Sequence, residues 1–148
     1  MRTSVRPCVE EAKVMLEREG FLFLDIRTWK AYDREHITKP PKCTANVPLA
    51  DGEVPGDGFV ENVGKKFRSS AKLLIADDDG SRAQAAADAL LAAGYADVVA
   101  VEGGYDAWMK IFTTSGQGLT LFMLQLKFKP LHYLFFNLKL QAVCPRTH

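Results

Sequence analysis

The sequence predicts an α/β domain, a parallel sheet packed between helices. Three observations carry this. Short apolar runs recur at residues 21–26, 72–76 and 98–101. They are continuous rather than alternating, as strands buried on both faces are. Between them lie segments with apolar residues at helical spacing, so strands and helices take turns along the chain.

Each element has a local reason. Val9, Ala12 and Leu16 fall on one helix face within 9–19, and Gly20 stops that helix. Residues 21–26, Phe-Leu-Phe-Leu-Asp-Ile, read as a buried strand, and 29–35 as a short helix. Residues 45–47 form a short strand closed by Pro48. Residues 51–58 are rich in Gly, Pro and acid and read as a loop. Phe59, Val63 and Phe67 share a helix face over 59–67. Residues 72–76 form the next strand. Residues 81–93 form an alanine-rich helix with Gly94 at its C-terminal stop. Residues 98–101 form a strand, 102–104 a turn, and 105–112 a closing helix.

Composition sets limits. The chain has 148 residues, of which 47% are hydrophobic, 10% aromatic and 25% charged. That excludes a disordered chain, a collagen and a disulfide scaffold. Net charge is +1, so no basic field advertises nucleic acid. Cys8, Cys43 and Cys144 are far apart and not in C-x-x-C spacing. They make no structural zinc site and suggest a reducing, intracellular compartment. No apolar run is long enough for a spanning helix, and no targeting segment opens the chain.

The charges divide the chain in two. From Thr113 onward the only charged residues are Lys127, Lys129, Lys139 and Arg146, which leaves the body at −3. We therefore expect a domain over 1–112 and an apolar basic tail over 113–148, outside the core. The tail's composition suits a membrane surface, a partner, packing on the body, or a variant C-terminus without a selected role.

In open α/β sheets, chemistry sits where strands end and helices begin. The richest such junction is Asp77, Asp78, Asp79, Gly80, Ser81 and Arg82, between a buried strand and a helix. Successive backbone amides in such a loop form an anion-binding concavity. Arg82 could add a donor facing inward.

The motifs around this junction resemble those of the rhodanese-like family over nearly all of residues 5–112. Leu24-Asp25-Ile26-Arg27-Thr28 followed by Tyr32, His36-Ile37 and Asn46-Val47-Pro48 is similar to the family's first signature. Arg82, the alanine-rich helix, Leu90 to Tyr95, and Val101-Glu102-Gly103-Gly104-Tyr105-Asp106-Ala107-Trp108 are similar to the second. The resemblance implies a three-layer α/β/α sandwich around a five-stranded parallel sheet. It also implies a loop of pattern Cys-x-x-Gly-x-Arg whose cysteine carries a persulfide. The plant plastid members are the most similar, which implies a chloroplast setting.

Aligned on Gly80 and Arg82, the nucleophile position is held by Asp77. Persulfide chemistry needs a thiolate, and a carboxylate oxygen carries no sulfane sulfur. Two unit charges about 4 Å apart at an effective dielectric of 20 repel by roughly 4 kcal/mol. A helix end attracts an anion by about 0.3–1 kcal/mol. With Arg82 offsetting one carboxylate at most, a dianion such as thiosulfate should be repelled. The expected catalytic residue is none.

Plainer readings stand beside these. Residues 77–79 are equally a solvated turn with aspartates capping the helix. Asp25 and Arg27 read as a supporting pair that orients the loops, and His36 as a packing or capping residue. Clustered carboxylates suit a hard cation, but a Ca²⁺-loop spacing is absent. No metal or cofactor is expected. Cys43, beside lysines in 39–43, is the candidate substitute nucleophile. Two functions follow: a catalytically inactive domain that binds a protein partner at the loop face, or a divergent sulfurtransferase using Cys43.

Overall fold

The computed structural model describes residues 6–117. In chain order the elements are α1 (Val9–Arg18), β1 (Leu22–Asp25), α2 (Trp29–Arg34), β2 (Thr44–Asn46), α3 (Asp57–Gly64), β3 (Lys72–Ala76), α4 (Ala83–Ala92), β4 (Asp97–Ala100) and α5 (Gly104–Ile111). The four strands are parallel, in the order β2-β1-β3-β4.

The period of two along the strands makes two cores. Leu24 of β1, Leu73 and Ile75 of β3, and Val98 and Ala100 of β4 pack with Phe59 and Val63 of α3 and the alanine face of α4. The alternate residues Phe23, Leu74 and Ala76 pack with Ala12 and Leu16 of α1 and Tyr105 and Trp108 of α5. Trp108 is fully buried, meets Phe23 edge-on at 6.2 Å, and donates its indole N–H to Thr113 O at 3.1 Å.

Among the described residues the sheet has four strands, not the expected five. Residues 6–8 pass beside the end of β4, where Glu102 N–H donates to Pro7 O at 2.9 Å. Pro7 has no N–H to return, so no ladder grows from that contact. Of the expected tail, residues 113–117 are described. Residues 113–117 turn back on the body, with Thr38 N–H donating to Thr114 O at 2.8 Å. The remainder of the expected tail, 118–148, lies outside the described residues. Among the described residues no helix is long and apolar enough to cross a membrane.

The strand order locates the site. The chain leaves β1 toward β2 on one side and leaves β3 toward β4 on the other. Between β1 and β3 the winding reverses, and in open α/β sheets ligands bind at such a point. The loops that flank it are 26–28 and 77–82.

Candidate functional site

β3 delivers the loop. Ala76 pairs with Asp25 of β1, and 77–82 follow before α4 starts at Ala83, two residues later than its alanine pattern suggested. The start of α5 braces this loop. Tyr105 N–H donates to Asp77 O at 2.8 Å, and Asp106 N–H to Asp78 O at 2.9 Å. Gly104, at φ +63°, is required there, since a Cβ would stand 2.5 Å from Asp77 O and 2.7 Å from Gly80 N.

Asp77 is wholly buried. Its Oδ2 accepts the Arg82 backbone N–H at 2.9 Å and the Ser81 hydroxyl at 3.5 Å, with Arg82 Nε at 3.7 Å. Its Oδ1 is buried with no hydrogen-bond partner. The backbone cradle is thinner than the sequence suggested, because Ser81 N–H turns instead to Asp79 Oδ1 at 2.9 Å. Asp79 is exposed, and hydrogen bonds from Ser81 hold its carboxyl below the ordinary value. Burial pushes the Asp78 carboxyl up, against the pull of Arg27 and Arg82, although its side chain is 57% exposed.

Arg82 lies beside Asp77 and also reaches sideways. Its guanidinium donates to Leu49 O and lies 3.4 Å from Asp51 and 3.5 Å from Asp78. Asp51 thereby joins the loop from the segment after β2, where the sequence showed only a loop. Arg6 arrives from the N-terminal side and donates to Gly80 O at 2.5 Å. Two guanidinium groups, Arg6 and Arg82, therefore contact the loop, not Arg82 alone. The acidic excess is smaller than three adjacent aspartates suggest. Asp51 and Arg6 lie far from 77–82 in sequence, so no local pattern marked either.

Asp25 and Arg27 form the supporting pair. Arg27 Nε and Nη2 donate to the Asp25 carboxylate at 2.7–3.1 Å, and Arg27 N–H donates to Asp25 Oδ1 at 2.9 Å. Nη2 also donates to Glu35 O at 2.8 Å, and the guanidinium lies 3.6 Å over the Tyr105 ring. Burial works to lower the Arg27 pKa, but the hydrogen bonds and charge of Asp25 outweigh it and the group rises. Asn46 Nδ2 clips the carbonyls of Asp25 and Arg27, both at 2.9 Å. Burial, helped by the charge of Glu35, pushes the Tyr105 phenol up to about 12.

His36 stacks on Tyr32 at 4.1 Å, with Nδ1 2.8 Å from Tyr32 O, a packing and capping arrangement. The sequence places Cys43 in a basic loop whose lysines would lower its thiol. It is a free, buried cysteine of the core beside α1 and α5, and burial pushes its thiol up despite the neighbouring lysines. It precedes β2, whereas the loop follows β3. With about 3.3 Å of rise per residue, β2 separates Cys43 from the loop end of the sheet by roughly 10 Å. Among the described residues, no three His, Cys, Asp or Glu side chains are grouped to hold a metal ion.

A family model described as the rhodanese-like domain matches residues 9–111. Thiosulfate sulfurtransferase 18 of Arabidopsis thaliana is 32% identical over 105 residues, covering 68% of this chain and 75% of that protein. The chloroplastic rhodanese-like domain-containing protein 15 of the same plant is 28% identical over 93 residues, covering 63% of this chain and 51% of that protein. This chain therefore spans about half of that relative's length. A rhodanese-like domain from Anabaena, solved in solution, has a TM-score of 0.59 at 21% identity. It covers 73% of this chain and 75% of that one, a likeness of fold alone.

Proposed function

This chain belongs to the rhodanese-like family, and on that premise we propose that it is a catalytically inactive member that binds a protein partner at its loop face. One observation carries the reading. Asp77 is wholly buried and bonded within its own loop; we read it, by alignment on Gly80 and Arg82, as standing where the family's persulfide-bearing cysteine would be. A sulfur transferase must take a sulfur atom onto a thiolate and hand it on. Here the position is filled by a carboxylate that accepts the loop's amide itself.

The face open to a partner is then Asp78, Asp79 and Ser81, with Asp51 alongside. Asp77 and Gly80 are buried, and Arg82 is largely covered, so these three shape the face rather than touch a partner. Asp25 and Arg27 support it from below. An acidic rim suits a basic patch, and the association would weaken as salt rises. The chloroplastic relative supports a plastid setting for this role.

The test has two arms. Thiosulfate-to-cyanide transfer by the natural chain should stay at the uncatalysed background. Partners captured on the natural chain should be lost on Asp51→Asn/Asp78→Asn/Asp79→Asn. Turnover above background, or an unchanged set of partners, would count against the proposal.

A further inference from the structure

The segment before α1 does more than lead into the fold. Arg6 Nη2 donates to Gly80 O at 2.5 Å and reaches Val101 O at 3.3 Å, across sequence separations of 74 and 95. One residue on, Pro7 O accepts the Glu102 N–H at 2.9 Å. Two consecutive residues thus cross the exits of both β3 and β4. We infer that Arg6 is a positioning residue that sets the shape of the 77–82 loop and, through it, the seat of Asp77.

One peptide plane links Arg6 to Asp77. The Gly80–Ser81 bond is trans, so the Gly80 carbonyl and the Ser81 N–H point to opposite sides. Arg6 holds the carbonyl on its own side, and the N–H is thereby aimed at Asp79 Oδ1, where it is found at 2.9 Å. The next amide, Arg82 N–H, then falls on Asp77 Oδ2. Gly80 sits at φ +88°, a conformation open to glycine, between Arg6 on one side and Gly103 at the start of α5 on the other. The guanidinium lies so close that a Cβ at Gly80 would stand 2.7 Å from Arg6 Nη2. Arg6 Nε is buried with no hydrogen-bond partner. The guanidinium is therefore committed to the two carbonyls and has no competing anchor through Nε. This inference concerns the loop itself and holds whether or not a partner docks there.

The test compares the full natural chain with Arg6→Met, which keeps the stem and removes the donors, and Arg6→Lys, which keeps charge and a donor. Amide hydrogen exchange is read residue by residue. Arg6→Met should speed exchange at Ser81 and Arg82 by about tenfold while β3 and the second half of α4 keep their rates. The Arg82 amide proton, shifted by its carboxylate partner, should move upfield. Arg6→Lys should restore most of both changes. If Arg6→Met does not fold, Arg6→Lys decides by whether its exchange changes are confined to the loop. Unchanged exchange at Ser81 and Arg82, or an equal speeding throughout β3 and α4, would overturn the inference.

Discussion

Restoring sulfur at position 77 tests whether the loop is a cradle lacking only its nucleophile. In Asp77→Cys the introduced thiolate would meet the Arg82 N–H now at 2.9 Å from Oδ2, and Arg82 Nε now at 3.7 Å. A hydrogen bond to a charged group contributes about 1.5–3 kcal/mol, which corresponds to roughly one to two pKa units. Starting from about 8.5, that brings the thiol to about 6.5–7.5. At neutral pH the ionised share rises from a few per cent to roughly a quarter to three quarters. Burial opposes this, so the smaller shift is the safer expectation. Cys43 supplies an internal control, since burial raises its thiol instead. The assay is the pH profile of alkylation at each cysteine, followed by thiosulfate-to-cyanide transfer. The introduced thiol should react about tenfold or more faster than Cys43 at neutral pH, and the variant should gain transfer that the natural chain lacks. An introduced thiol no more reactive than Cys43 would refute the reasoning, because the loop would then offer a thiolate nothing.

Further outcomes follow from the same geometry. Arg27→Met leaves the buried Asp25 carboxylate without its partner and should cost about 3–5 kcal/mol in denaturant unfolding; a loss below about 1 kcal/mol would show the pair is dispensable. Gly104→Ala places a Cβ 2.5 Å from Asp77 O at φ +63°, so thermal unfolding should show a loss of at least about 1–3 kcal/mol. Tyr105→Phe removes a buried hydroxyl that makes no well-formed hydrogen bond beside the Arg27 guanidinium, and should change stability by less than about 1 kcal/mol at neutral pH. The Tyr105 phenol is raised in the folded state, so its contribution is complete below the unfolded value of about 10 and is lost as pH rises toward about 12. Stability curves for the natural chain and Tyr105→Phe should therefore separate in that window, and parallel curves would contradict the assignment.

The fold was largely legible because its signals are local. The run Leu-Leu-Ile-Ala marks β3 over the residues observed, and Val9, Ala12 and Leu16 mark the buried face of α1. The boundaries that slipped did so for identifiable reasons. α3 starts at Asp57, within a stretch whose Gly and acid read as loop, because an acidic residue is favourable in a first turn. It ends at Gly64, yet Phe67 stays buried and its carbonyl accepts the Tyr95 hydroxyl at 3.0 Å. The fifth strand came from resemblance, and Pro7 withholds the donor a ladder would need.

The site was legible in its parts and not in its wiring. Residues 77–82 and the Asp25–Arg27 pair lie where the strand-to-helix junctions put them. That Asp77 is hidden while Asp78 and Asp79 are open is a matter of side-chain direction, which three adjacent aspartates do not reveal. Arg6 and Asp51 reach the loop across long sequence separations. Cys43 sits beside lysines in the chain but inside a core in space, and burial outweighs neighbouring charge there.

The most direct measurement is the intact mass of the natural chain after incubation with thiosulfate, without reductant, before and after cyanide. The mass should stay unchanged in both samples. A chain that gains one sulfur atom and surrenders it to cyanide would contradict the proposal.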